Sequence, residues 1–141
     1  MKPSDSRVVL NPIGRVESPL TDRAAAPRQS DEGAPEAWLA LHADVHAGLE
    51  GITAGDALLV LTWLDRARRD VLSVHPRDAP SRPLQGVFST RSPDRPNPIG
   101  LHRVEVAEIQ PGRLRVHHLE ALDGTPILDI KPVLSDQIDD R

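Results

Sequence analysis

Residues 88–100, FSTRSPDRPNPIG, set Ser89, Thr90, Arg91, Ser92, Arg95 and Asn97 among three prolines. Proline fixes φ and biases the residue before it toward extended geometry, so Pro93, Pro96 and Pro98 hold the neighbouring polar groups at small entropic cost. A guanidinium binds carboxylates and phosphates bidentately, which suits such a loop to an anionic ligand or to the carboxylate end of a larger one. On chemistry alone, a rigid connection with solvated arginines is the favoured reading, since Pro-rich polar loops are common and Arg is usually exposed.

Two further segments carry charge in a pattern. Residues 122–132, LDGTPILDIKP, present Asp123, Thr125, Asp129 and Lys131; an Asp-Gly pair is first a turn signal, yet a turn can still offer a carboxylate to a ligand. Residues 65–70, DRARRD, follow the most apolar run of the chain, and Arg66, Arg68 and Arg69 read either as a small phosphate-binding patch or as a solvated strand end.

Other chemistries find no support. The chain has no cysteine, which excludes disulfides, thiolate metal ligands and a cysteine nucleophile. No Gly-rich dinucleotide or P-loop signature occurs, and the scattered histidines, with His117 and His118 adjacent on opposite faces of a strand, lack metal-ligand spacing, so no metal is expected. A formal charge of −4 and a pI near 5.8 argue against a broad basic field for nucleic acid, although a local patch remains open. No stretch approaches the roughly 18 apolar residues of a membrane span, and the start of the chain has no long apolar leader core, so a cytoplasmic protein without membrane contact is expected.

The elements that position these groups are short. Strands are predicted for Val8–Leu10 with Ile13–Val16, for Trp38–Leu41, for the central buried run Ala57–Leu64, for Val71–Val74, Gly86–Ser89, Leu101–Ile109, Leu114–Leu119 and Ile127–Ile130. Turns are expected at Ser18-Pro19, Pro111-Gly112 and Asp123-Gly124, a surface loop over Thr21–Pro35, and one helical turn from Asp44, as N-cap, to Leu49. With 141 residues and aromatics limited to Trp38, Trp63 and Phe88, the expectation is a single domain over residues 1–141 with an aliphatic core. Its class is all-β with short helical turns, a sheet curled into a barrel, rather than alternating α/β or Rossmann.

The chain resembles the TrmO/YaeB (TsaA-like) family through IGRVESPL near the start, PRQ at Pro27–Gln29, FSTRSPDRPNPIGL and LDGTPILDIKP, in that order. The resemblance implies a barrel-like, dimeric S-adenosylmethionine (SAM) methyltransferase that methylates the exocyclic amine of threonylcarbamoyl-adenosine beside the tRNA anticodon. It also implies that the C-terminal domain of longer relatives is absent here. Carried over by motif, the cofactor would meet Gln29, Ser30, Asp65, Arg66, Arg91, Leu101, His118, Leu119, Glu120 and Leu122, with Arg91 on its carboxylate and the backbone near Leu119 and Leu122 on the adenine edge. The catalytic candidates Asp123, Thr125, Asp129 and Lys131 would position the acceptor, and Arg95 and Asn97 would contact it.

Two departures from the family pattern bear on the acceptor. Asp65 stands where an imidazole is expected, and Val133 replaces the aromatic of the KPY pattern, removing a ring that could stack on a base for about 1 to 3 kcal/mol. A same-fold methyltransferase of a small molecule, a non-catalytic SAM-binding module and an interaction protein built on the Pro-rich loop are the competing readings.

Overall fold

The structure, a computed structural model, describes residues 7–21, 36–76 and 79–134. Six of its strands close into an antiparallel barrel: β1 (Gly14–Glu17), β2 (Ala37–Leu41), β3 (Ala57–Trp63), β6 (Ile99–Gln110), β7 (Arg113–His117) and β8 (Pro126–Pro132), in the spatial order β1-β2-β7-β6-β3-β8 with β8 returning to β1. A separate two-stranded ribbon pairs β4 (Ser73–Val74) with β5 (Gln85–Gly86).

Alternation along each strand decides what lies inside. In β3 the residues Leu58, Val60 and Thr62 face in, and in β6 His102, Val104 and Val106 do the same. Leu58, Val60, Val104 and Val106 share an aliphatic core with Val16, Leu39, Leu114, Val116, Leu119 and Ile127, as a chain so poor in aromatics requires, while Thr62 and His102 are buried polar groups beside it. Closure removes sheet edges and leaves every strand's outer row to solvent or to a partner.

The exterior is divided into two unlike halves. On β1, β2 and β7 it is charged: Arg113 pairs with Glu17 and lies over the Trp38 ring at 4.4 Å, and Arg115 bridges Glu36 and Glu108. On β8, β3 and β6 it is mixed, with half-buried Leu59, Leu61 and Trp63 and exposed Ile99 and Leu101 flanked by exposed Arg103, Glu105, Asp129 and Lys131.

Several elements differ from expectation for identifiable reasons. Val8–Leu10 are exposed and form no strand, because Pro12 lies between them and the paired residues. Of the run Gly86–Ser89 only Gly86 lies in a strand, as the end of β5: Ser89 Oγ donates to Gly86 O and Thr90 Oγ1 to Val87 O, and these local bonds close a single 3-10 turn over Val87–Ser89. β7 ends at His117, since His118 turns to φ 73°. The helical turn spans Ala43–Leu49 as a 3-10 helix capped at His42 without a side-chain bond, not at Asp44. The central strand β3 is buried on one face only.

Candidate functional site

Barrel closure gathers the chemistry-bearing segments at one end. There β1 runs out at Glu17, β2 begins at Ala37, β3 ends at Trp63, β6 starts at Ile99, β7 ends at His117 and β8 begins at Pro126, as the antiparallel registers require. Asp65 and Arg66, residues 90–98, His118–Leu122 and the DGTP turn therefore rim one opening.

The two loops beside β3 and β6 clasp one another. Asp94 Oδ1 accepts from the Arg68 backbone N–H at 2.8 Å, and Arg95 N–H donates to Arg68 O. The Arg69 guanidinium donates to Pro96 O at 2.8 Å and to Asn97 Oδ1 at 3.0 Å while lying 5.2 Å over the Trp63 ring. Arg68 forms a fork-to-fork pair with Asp70, whose hydrogen bonds lower the Asp70 pKa below the usual carboxylate value and raise that of Arg68. Arg66 donates to Thr21 O. Each of the three arginines read as a phosphate patch is thus engaged within the protein.

Arg95 organises the proline loop from inside. Its guanidinium donates to the carbonyls of Thr90, Ser92 and Val87, at 3.2, 3.1 and 2.5 Å. Arg91, in contrast, is exposed and has no hydrogen bond or ion pair among the described residues. The loop thus uses one guanidinium to hold its own shape and leaves the other outside. Phe88, next to it, is 82% exposed.

The DGTP turn is wired to the end of β1. Asp123 Oδ1 accepts the Ser18 N–H at 3.0 Å, Asp123 N–H donates to Leu20 O, and Gly124, at φ 82°, donates to Val16 O; only glycine takes that backbone region without strain. Thr125 is buried and its hydroxyl donates to Leu122 O at 2.7 Å. Two motifs far apart in sequence, IGRVESPL and LDGTPILDIKP, are thereby one structural unit.

The sequence-derived candidates fall in two places. Asp65, Arg66, Arg91, Arg95, Asn97, His118, Leu119, Glu120, Leu122, Asp123 and Thr125 share the rim, with Leu119 in the core and able to offer only its backbone. Leu101, Asp129 and Lys131 lie on the barrel's outer face, where Leu61 sits between Asp129 and Leu101 and Leu59 between Lys131 and Arg103; Lys131 Nζ is 3.4 Å from Asp129 Oδ2. A bulge between Leu61 and Thr62 shifts the β3–β8 register near this row. Gln29 and Ser30 lie outside the described residues. Two shallow clefts, one along His46–Glu50 and Ile109–Gly112 and one along Gly48–Ile52 and Ile130–Val133, open at the opposite end and include Lys131 alone of the candidates.

Sequence reasoning missed a buried chain of side chains. Thr62 Oγ1 and His102 Nε2 are 2.7 Å apart, and His102 Nδ1 and Glu120 Oε1 are 2.9 Å apart, joining β3, β6 and the segment after β7. Gly100 makes room for it: a Cβ there would lie 2.4 Å from Thr62 Oγ1 and 2.6 Å from His102 Nε2. Strand phase carried the signal, since Thr62 and His102 share the inward phase of Val60 and Val104. Among the described residues no group of three or more His, Asp or Glu side chains is placed to hold a metal ion, and no helix is long and apolar enough to cross a membrane.

Residues 15–140 match the profile of the tRNA-methyltransferase O N-terminal domain. The chain belongs to that family. It is 44% identical over 124 residues to an S-adenosyl-L-methionine-binding protein of Archaeoglobus fulgidus, covering 88% of each chain, and 42% identical over 134 residues to a probable S-adenosyl-L-methionine-binding protein of Methanothermobacter thermautotrophicus, covering 94% of this chain and 95% of that one. The crystal structure of TrmO from Pseudomonas aeruginosa superposes with a TM-score of 0.74 at 30% identity over 96% of this chain, and a further TrmO crystal structure with 0.75 at 31%. The chain spans about three fifths of those TrmO chains, 61% and 62%. The fold of the TrmO N-terminal domain is therefore this antiparallel barrel, without the parallel sheet of a Rossmann nucleotide site.

Proposed function

We propose that this chain is a SAM-dependent methyltransferase acting on the exocyclic amine of threonylcarbamoyl-adenosine beside the anticodon of tRNA, in the cytoplasm and as a homodimer. The observation that carries the reading is the meeting at one barrel end of the described parts of three motifs, the end of IGRVESPL, residues 90–98 and the DGTP turn, where the Arg91 guanidinium has no hydrogen bond or ion pair among the described residues and Glu120 Oε2 is buried without a hydrogen-bond partner.

The groups present fit the cofactor. SAM has an anionic carboxylate, cationic and hydroxyl donors, and an adenine edge; Arg91 suits the first, Glu120 the donors, and the backbone of His118–Leu122 the adenine. Asp65 and Arg66 close the rim. Bound there, SAM supplies an electrophilic methyl group on a sulfonium. The chain's own residues then orient the acceptor nitrogen in line and exclude water, which supplies rate without a strong base, a metal or a covalent intermediate. Asp123, Thr125, Asp129 and Lys131 position the acceptor; Arg95 and Asn97 shape the loop it meets, and exposed Phe88 offers a stacking platform for a base.

A second copy of the chain is the proposed cover for the β8, β3 and β6 half of the exterior. Exposed Ile99 and Leu101 stand beside half-buried Leu59, Leu61 and Trp63, an apolar row that a partner could cover, and it adjoins the candidate residues Asp129 and Lys131, so the partner would complete the acceptor side.

The test is methyl transfer from labelled SAM to tRNA with and without the threonylcarbamoyl group, with salt varied. Label in the modified tRNA alone, with affinity falling steeply as salt rises, is expected. Cofactor binding with no transfer to either tRNA would move the reading to a small-molecule acceptor, and no cofactor binding at all would overturn it.

A further inference from the structure

Glu120 Oε2 is buried and has no hydrogen-bond partner among the described residues, while its other oxygen is held by His102. Leaving a buried carboxylate oxygen unmatched is costly, and an orphan of this kind in a native fold calls for a ligand or water to complete it. The backbone before Glu120 is also out of the ordinary. His118 adopts φ 73°, a conformation that costs a non-glycine residue energy and that collects at functional sites.

The network behind Glu120 is built across three separate stretches of sequence. His102 is 5% exposed and Thr62 fully buried. Because an ionised carboxylate only accepts, His102 Nδ1 must donate to Glu120, and a neutral imidazole then accepts from the Thr62 hydroxyl at Nε2. The hydroxyl, imidazole and carboxylate stand in the order used by acyl-transfer triads, but the Thr62 hydroxyl is sealed in the barrel, so it cannot reach a substrate as nucleophile. The free end of the chain is the carboxylate. Apolar replacements of buried charged groups are often neutral or stabilising, so stability alone is a weak reason for this network, and the fixing of Glu120 is what it contributes.

We infer that His102, anchored by Thr62, is a positioning residue that presents the unpartnered Oε2 of Glu120 to a hydrogen-bond donor of the bound cofactor. This rests on the cofactor site proposed above. His102 locks the carboxylate's rotamer and keeps its second oxygen free, so binding incurs no reorganisation of a flexible glutamate.

The experiment is calorimetric titration of S-adenosylhomocysteine into the parent protein and the variants His102→Leu, His102→Asn, Thr62→Val and Glu120→Gln, with melting temperatures measured in parallel. The side-chain amide introduced by His102→Asn can take the place of the Nδ1 donor, so binding should fall about tenfold in His102→Leu, the worth of one charge-assisted hydrogen bond, and return most of the way in His102→Asn. Long-range proton–nitrogen spectra give a second readout: the His102 ring resonances should shift when S-adenosylhomocysteine binds. If the parent binds while His102→Leu and Glu120→Gln bind equally well and the ring signals stay fixed, the positioning role is overturned and the cofactor site stands. If the parent itself does not bind, both fall together. Should His102→Leu fail to fold, Glu120→Gln and the ring signals of the parent decide the matter.

Discussion

The substitution Gly100→Ala tests the barrel-end geometry with a single methyl group. At Gly100 the new Cβ would sit 2.4 Å from Thr62 Oγ1 and 2.6 Å from His102 Nε2, both well inside contact distance and both on buried side chains already bonded to each other. Three terms compete. Overpacking a dense interior costs about 1 to 3 kcal/mol. Prying apart the Thr62–His102 pair costs about 0.5 to 1.5 kcal/mol more. Removing glycine from the unfolded chain returns about 0.4 to 1 kcal/mol. The steric terms win, for a net loss of about 2 kcal/mol. With an unfolding entropy of about 2.1 cal/mol/K per residue over 141 residues, the melting temperature should drop by about 7 °C. Thermal denaturation followed by circular dichroism reads this directly, with Gly48→Ala, where nothing lies within 4 Å, as the control that should not lose stability. The double variant Thr62→Ala, Gly100→Ala should be less destabilised than the two single changes added together, since the first makes space for the second. A Gly100→Ala protein that melts with its parent would refute the packing argument.

Three further outcomes are expected. Arg91→Ala should weaken cofactor binding by about tenfold, through loss of a charge-assisted hydrogen bond, without lowering the melting temperature, because Arg91 has no hydrogen bond or ion pair among the described residues; an unchanged dissociation constant by calorimetry removes its assigned role. Arg95→Lys should loosen residues 87–96 and speed their cleavage in limited proteolysis, since one ammonium cannot replace a fork that reaches the carbonyls of Val87, Thr90 and Ser92. Glu108 is held below the ordinary carboxylate value first by the Gln110 amide and then by Arg115. Its contribution is therefore present above pH 4.5, the ordinary glutamate value, and is lost as pH falls through its lower folded value. Urea denaturation should find Glu108→Gln weaker than the parent at pH 7 and equal to it in strong acid, and a difference that persists in acid contradicts the assignment.

What could be read from sequence was whatever alternation and turn chemistry encode locally. β3 announced itself as the longest apolar run, and β6, β7 and β8 as short apolar segments between turn signals, and the all-β class and aliphatic core followed from them, although β3 is buried on one face only. The 3-10 turn at Val87–Ser89 did not, because hydroxyl-to-carbonyl bonds from Ser89 and Thr90 overrode an apolar run that reads as a strand. The role of each arginine was equally hidden: residue type distinguishes Arg91 from Arg95 not at all, and only the loop's closure reveals that Arg95 is consumed by carbonyls while Arg91 is left out. Asp123 illustrates a group with two claims on it, since its carboxylate ties the turn to Ser18 whatever it offers an acceptor. His102 and Thr62 stand 40 residues apart, and their meeting depends on the β3–β6 register, which no local pattern specifies.

The central claim is that the motif end of the barrel, and not the clefts near Gly48–Ile52, is where SAM binds. The most direct test is to map amide chemical-shift changes on adding S-adenosylhomocysteine to nitrogen-15-labelled protein. The expected result is a cluster of shifts at Asp65, Arg66, Arg91, Leu101 and His118–Leu122, with Gly48–Ile52 and Gly112 unmoved. Shifts confined to the Gly48–Ile52 end would contradict the account.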